Sequence, residues 1–375
     1  MQDEFKTRHL TDFLRGVALG DTLGMLAENL PRRTVARLHR KGVGQEMPFG
    51  RGFLSDETEQ AILTARALCR TNKYLPMRVS FRRELLWWLS TLPIGAGSST
   101  VRACLSIAFK SRLSLTTTLA PGGSSKGNGP LLRAATIGLL LEAREIHGAA
   151  AWTTLLTHTS LEAVMSSVIT ARIFSRLSPP GTDAADRPGI DTDLFREAAQ
   201  YAGTHISISH SDYGWHRDIR QFVAGLDEAF ATIDMAAHGN ISTEEGLERL
   251  GSGQGVSGHA TRTLMAALLI AATHRDDVNA AADTAILAGG DTDSVAALAC
   301  GLVATASRIP QDYSRLKLWR DPYGLTSSTP LSGNSLLRAL ASRRHRFGML
   351  AEHLALMFLV GPYFLARRAF ARWGW

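Results

Sequence analysis

Apolar residues recur every three or four positions through most of the first 310 residues, and this is the spacing of amphipathic α-helices. Within residues 58–71, for example, Ile62, Ala65 and Leu68 fall at helical spacing. Few segments alternate apolar and polar residues at a period of two, as a half-buried strand would. The helical spacing recurs in residues 131–147, 160–177, 260–272 and 295–306. The last two stretches are so apolar that we expect them to be buried on nearly every side. The pattern predicts an all-α fold.

Clusters of glycine and proline separate these predicted helices, but none is long enough to act as a linker between domains. No internal repeat is present. We therefore expect one helical domain over residues 1–310, with residues 179–189 as an exposed loop. The breaker clusters lie at residues 42–52, 93–99, 121–129, 179–189 and 251–258.

Residues 311–375 differ from this domain in charge and hydropathy. They contain ten lysines and arginines against three acids, which accounts for the whole net charge of +7. Residues 347–366 are strongly hydrophobic, but Glu352, His353 and the Gly361-Pro362 pair argue against a membrane-spanning helix. We expect this C-terminal extension to dock on an apolar face of the domain or of a partner. Attachment to a membrane surface is an open alternative.

The composition narrows the class of protein. A 45% hydrophobic content supplies a sizeable core and excludes disorder along the whole chain. Cys69, Cys104 and Cys300 are far apart, which excludes a disulfide framework and a thiolate zinc site. With no apolar leader visible, we expect a cytoplasmic location. The basic excess is confined to the C-terminal extension, so no nucleic-acid partner is expected.

Two predicted helices begin with clusters of oxygen ligands. Residues 287–294 read Leu-Ala-Gly-Gly-Asp-Thr-Asp-Ser before an apolar helix, and residues 55–58 read Ser-Asp-Glu-Thr before another. Each cluster alone is more typical of a helix cap with an acidic first turn. Together they predict a site for hard cations such as Mg²⁺, Mn²⁺ or Ca²⁺, if the fold brings them together. Neither contains His or Cys, which disfavours zinc.

Two further segments combine glycines with polar residues. Gly16, Gly20 and Gly24 form a smooth helix face suited to close packing, but the carboxylates of Asp21 and Glu28 in the same apolar run need partners or a metal. Residues 122–129 form a glycine-rich loop before a helix, where free N–H groups suit phosphate oxygens.

Taken in this order, these segments resemble the ADP-ribosylglycohydrolase family, which includes the dinitrogenase-reductase-activating glycohydrolases. The resemblance extends over roughly residues 12–310. The matching elements are Gly16, Gly20-Asp21, Gly24 and Glu28; Ser55-Asp56-Glu57-Thr58; Gly127-Asn128-Gly129 with Arg133; Thr157-His158-Thr159-Ser160; and Gly289 to Ser294.

The resemblance implies an orthogonal helical bundle with two divalent cations, Mg²⁺ or Mn²⁺, that removes ADP-ribose from arginine, serine or related side chains. The implied partners are ADP-ribose or ADP-ribosylated proteins, and an ADP-ribosyltransferase or toxin whose action it reverses. The implied metal ligands are Ser55, Asp56, Glu57, Asp291, Asp293 and Ser294. The implied catalytic residues are Asp291, Asp293 and the acid/base or gating carboxylate Glu28. The implied lining of the ADP-ribose groove is Gly127, Asn128, Gly129 and His158, with Arg133 orienting the loop as an alternative.

Two departures from the family pattern keep a second hypothesis open. Glu57 replaces an aspartate, and Pro93-Ile94-Gly95 stands where many members have Asp-Ile-Gly. An added methylene displaces a carboxylate, which Mg²⁺ tolerates poorly. The alternative is a catalytically impaired protein on the same scaffold, of an immunity type, that binds ADP-ribose or a toxin.

Overall fold

The fold is described by a computed structural model that covers residues 2–69, 74–93, 95–110, 124–178, 189–209, 215–327, 333–342 and 344–363. Seventeen α-helices occupy most of these ranges, which contain no β-strand. The predicted all-α fold is therefore confirmed. The predicted loop at residues 179–189 lies outside the described residues, apart from Gly189.

The helices range from 7 to 23 residues in length. In chain order they are α1 (Gln2–Gly24), α2 (Arg32–Leu38), α3 (Asp56–Cys69), α4 (Tyr74–Ser90), α5 (Ser98–Lys110), α6 (Leu131–Leu140), α7 (Ile146–Leu155), α8 (Leu161–Leu177), α9 (Thr192–Ser209), α10 (His216–Gly225), α11 (Asp227–Ala237), α12 (Thr243–Arg249), α13 (Ala260–Thr273), α14 (Val278–Ala288), α15 (Thr292–Ala306), α16 (Gly333–Ala341) and α17 (Arg344–Ala355).

Helices α1 and α15 pack along each other at the centre of the fold. A Cβ atom on Gly16 would lie 2.4 Å from the carbonyl oxygen of Cys300, and one on Gly20 would lie 2.2 Å from that of Ala296. Only glycine permits such an approach between two backbones. The predicted glycine face is therefore a packing surface, and it places the end of α1 beside the start of α15. Every residue of α15 from Thr292 to Thr305 is buried, as its apolar sequence predicts.

Three loops meet beside the start of α15 and pair through their backbones. The amide of Gly290 donates to the carbonyl of Leu30 at 2.8 Å, and the amide of Asp291 donates to that of Val256 at 2.8 Å. Gly290 has a φ of 81°, and a Cβ there would lie 2.1 Å from the Val256 carbonyl oxygen. A further bridge joins Gly127 to His259. These contacts fix the loops around the predicted site.

The C-terminal extension contacts the helical domain through α16 and α17. Helix α16 packs against α1 and α3. Helix α17 buries Glu352 and His353. No helix in the described ranges combines the length and the hydropathy that a membrane span requires. The division of the chain at residue 310 stays a prediction.

Candidate functional site

The N-terminus of α3 is held by a carboxylate from α1. Asp21 accepts hydrogen bonds from the Ser55 amide at 3.0 Å, the Ser55 hydroxyl at 2.6 Å and the Thr58 amide at 3.2 Å. The Thr58 hydroxyl donates to it at 2.5 Å. Burial raises the pKa of Asp21 to about 6, although these hydrogen bonds favour its ionised form. Asp21 thus caps α3 from another helix and fixes the orientation of Ser55.

The start of α15 meets the start of α3 through one hydrogen bond. The Ser294 hydroxyl donates to Glu57 Oε1 at 2.5 Å, and both side chains are buried. The two residues are 237 positions apart in the sequence. The two oxygen-rich helix starts, which the sequence hypothesis required to converge, therefore lie side by side.

Four carboxylates of these helix starts influence one another electrostatically. Burial raises the pKa of Asp56, Glu57 and Asp293 well above their ordinary values. A negative charge on Asp291 raises each of these pKa values further. A bound cation would relieve the repulsion among these carboxylates.

Glu28 lies just after α1, in the loop that pairs with residue 290. It is half-buried, and its Oε1 accepts a hydrogen bond from the Asn29 side chain at 2.8 Å. Its charge raises the pKa of both Asp56 and Asp293, which places it within electrostatic range of both helix starts. Glu28 thus stands at the edge of the carboxylate cluster, and its acid/base role stays a prediction.

The loop of residues 127–129 reaches the same cluster from the other side. The Asn128 side-chain amide donates to Asp291 Oδ2 at 2.8 Å and to the Thr263 hydroxyl at 2.9 Å. A Cβ on Gly127 would lie 3.0 Å from His158 Nε2, and one on Gly129 would lie 3.7 Å from the same ring. The structure therefore brings the predicted groove residues together, next to the predicted metal ligands.

His158 is buried beneath this loop. Burial lowers its pKa to about 3, with a further contribution from the charge of Arg133. Its Nδ1 lies 2.8 Å from the Thr157 hydroxyl, which also accepts a hydrogen bond from Arg133 Nη2 at 2.6 Å. His158 is therefore neutral at physiological pH. Arg133 reaches it through the Thr157 hydroxyl, and the role of Arg133 in orienting the loop stays a prediction.

The donor set fits a hard divalent cation. It consists of carboxylate and hydroxyl oxygens, which Mg²⁺ and Mn²⁺ prefer. Within the ranges that the structure describes, however, no three His, Cys, Asp or Glu side chains are already gathered as a metal-binding group. Because Glu57 holds the Ser294 hydroxyl and Asn128 holds Asp291, cation binding would exchange these two hydrogen bonds for metal contacts.

Sequence reasoning missed the roles of three residues at this site. It identified Asp21 only as a carboxylate in need of a partner, and that partner is the start of α3. It assigned nothing to Gly258 or to Gly95, where a Cβ would lie 2.7 Å from Asp291 Oδ2 and from Asp56 Oδ1 respectively. Both glycines leave space beside the two carboxylates.

Comparison with known proteins agrees with the motifs. A model of the ADP-ribosylglycohydrolase family matches residues 1–343, so the chain belongs to the ADP-ribosylglycohydrolase family. This membership confirms the family resemblance and supports a hydrolase that acts on linkages to ADP-ribose. A solved structure described as an "ADP-ribosylglycohydrolase-related protein complex" is 23% identical, with a TM-score of 0.49 over 94% of this chain and 98% of that chain. No curated protein matches the sequence.

Proposed function

We propose that the protein is a metal-dependent hydrolase that removes ADP-ribose from modified protein side chains, with arginine-linked and hydroxyl-linked ADP-ribose as the substrate class. The observation that carries the proposal is the convergence of the acidic starts of α3 and α15, where a charge on Asp291 raises the pKa of Asp56 and Glu57. Family membership supports the substrate class. An ADP-ribosyltransferase or toxin is the proposed source of the modified protein.

Two divalent cations, Mg²⁺ or Mn²⁺, are the proposed cofactors. When bound, they would contact the ribose hydroxyls and lower the pKa of the attacking water. The proposed ligands are Ser55, Asp56, Glu57, Asp291, Asp293 and Ser294. The Ser55 hydroxyl donates a hydrogen bond to Asp21, so the lone pairs of that hydroxyl oxygen can face the cation.

The reaction breaks the bond between the anomeric carbon of ribose and the leaving nitrogen or oxygen, while a water oxygen adds to that carbon. The positive charge that develops on the sugar is stabilised by the surrounding carboxylates Asp291 and Asp293. Glu28 donates the proton that the leaving guanidine or hydroxyl requires, and it then accepts the proton that the attacking water loses. The loop of residues 127–129, with the neutral His158 below it, orients the ADP-ribose.

The test is release of ADP-ribose from arginine-linked and serine-linked ADP-ribosylated peptides, with Mg²⁺, with Mn²⁺ and with a chelator. We expect chelator-sensitive release, and we expect Asp291→Asn to reduce the rate by about 100-fold or more. Asp227→Asn is the matched control, because Asp227 is also an acid at the start of a helix but is exposed on α11. Release that is equally fast with chelator would refute the metal-dependent mechanism.

A second candidate function is a catalytically impaired protein that binds ADP-ribose or a toxin. The favouring observation is that Glu57, which is longer than the aspartate of the family pattern, already engages the Ser294 hydroxyl. Calorimetric titration with ADP-ribose distinguishes the two candidates. Tight binding by a protein that releases no ADP-ribose with either metal would support this candidate and exclude the hydrolase. Activity gained on Glu57→Asp would identify the longer side chain as the cause of the impairment.

A further inference from the structure

The last described helix has an unusual distribution of side chains. Helix α17 continues through a π-helical turn, Leu356–Val360, to residue 363. One face is buried and carries Met349, Glu352, His353 and Leu356. These positions follow the spacing of a single helix face. Two of the four residues are ionisable.

The opposite face is apolar and exposed to solvent. Phe347 is 71% exposed, Leu354 37%, Met357 42% and Phe358 70%. In a helix of a globular domain the apolar stripe normally faces the core and the charged residues face water. Here the buried face carries the ionisable residues Glu352 and His353 beside Met349 and Leu356, and the exposed apolar stripe is of the kind that marks an interaction surface.

Polar contacts on the inner face fix this orientation. His353 Nε2 lies 2.8 Å from Glu59 Oε1, and His353 Nδ1 lies 2.9 Å from the carbonyl oxygen of Thr91. Arg320 pairs with Glu352 at 3.6 Å. A rotation that buried the apolar stripe would break these contacts and expose their buried partners. The stripe is therefore held outward.

The charge of the surrounding sequence indicates what covers the stripe. From residue 338 to the last residue the sequence contains seven arginines and a single acid, Glu352, and that acid is buried. A second copy of the chain would bring two arginine-rich segments together, which electrostatic repulsion opposes. An apolar stripe flanked by arginines complements an anionic lipid surface, where the apolar face enters the headgroup boundary.

We propose that residues 344–363 bind to the surface of an anionic membrane, with Phe347, Leu354 and Phe358 inserted between the headgroups. The helix lies in the plane of the interface and does not cross the bilayer. Trp373 and Trp375, later in the sequence, are of the residue type enriched at membrane interfaces. This binding does not depend on the proposed hydrolase activity.

The test is co-sedimentation of the full chain with vesicles of phosphatidylcholine alone, or of phosphatidylcholine mixed with phosphatidylglycerol. We expect at least about tenfold stronger binding to the anionic vesicles, and loss of binding when salt screens the charges. The double variant Leu354→Glu with Phe358→Glu should lose the binding. Leu105→Glu should retain it, because Leu105 is a 43% exposed leucine on α5.

Three results would overturn the proposal. In the first, the double variant binds anionic vesicles as well as the wild-type chain does, with circular dichroism showing that both are folded. In the second, the wild-type chain binds no vesicles and sediments as a monomer, which would leave a protein partner as the occupant. In the third, the wild-type chain binds no vesicles and forms a dimer that the double variant abolishes, which would make a second copy the occupant.

Discussion

Replacing Glu352 with glutamine should stabilise the protein in a way that depends on pH. Burial raises the pKa of Glu352 to about 7 from an ordinary value of 4.5, and the charge of Glu59 contributes to the rise. The folded state therefore holds this proton more tightly than the unfolded state does. Between pH 4.5 and pH 7 the unfolded state ionises first, so stability falls as the pH rises.

The magnitude follows from the size of the pKa shift, since one pKa unit corresponds to about 1.4 kcal/mol. The buried carboxyl lowers the free energy of unfolding by about 1 kcal/mol at pH 5 and by about 3 kcal/mol at pH 8. Glutamine has nearly the same shape and does not ionise. Glu352→Gln should therefore be more stable than the wild-type chain by about these amounts.

Guanidinium unfolding at pH 5, 6, 7 and 8, at constant ionic strength, measures the difference. Glu248→Gln is the control, because Glu248 is exposed and buries no charge. The reasoning would be refuted if the free energies of unfolding of Glu352→Gln and the wild-type chain differed by the same amount from pH 5 to pH 8. Such a result would show that Glu352 does not change protonation on folding.

Two further predictions concern the candidate site. Gly290→Ala should lower the free energy of unfolding by about 3 kcal/mol or more, because Gly290 has a positive φ and a Cβ there would overlap the backbone of Val256. Gly44 has open space around it, so the control Gly44→Ala should have little effect on the unfolding midpoint. Asp21→Ala and Asp277→Ala both remove a side chain that caps a helix and should each lower stability by about 1–2 kcal/mol. Only Asp21→Ala should also reduce the increase in melting temperature that Mn²⁺ produces; an equal reduction in Asp277→Ala would contradict a positioning role for Asp21.

The helices and their closest packing could be predicted from the sequence because both depend on local spacing. The glycines of α1 recur every four residues, and this spacing alone predicts a face that another helix approaches closely. The meeting of residues 55–58 with residues 291–294 could be raised from the sequence only as a condition for a shared cation site, because no local pattern relates segments so far apart.

Contacts that depend on how the elements cross could not be predicted. The capping of α3 by Asp21 requires the end of α1 to pass the start of α3. The exposed apolar stripe of α17 also runs against the general expectation that such a stripe faces the core. Glu59 and Thr91 reverse that expectation, because they offer partners to His353 on the inner side.

The glycine contacts between α1 and α15 have a consequence for engineering. A Cβ on Gly24 would lie 2.6 Å from the Cα of Asp293, so even the smallest side chain there would displace a carboxylate of the cluster. The spacing of the acidic groups is thus set by main chain resting on main chain, with no adjustable side chain in between. Mutant libraries that aim at new substrates should therefore leave these two helices untouched.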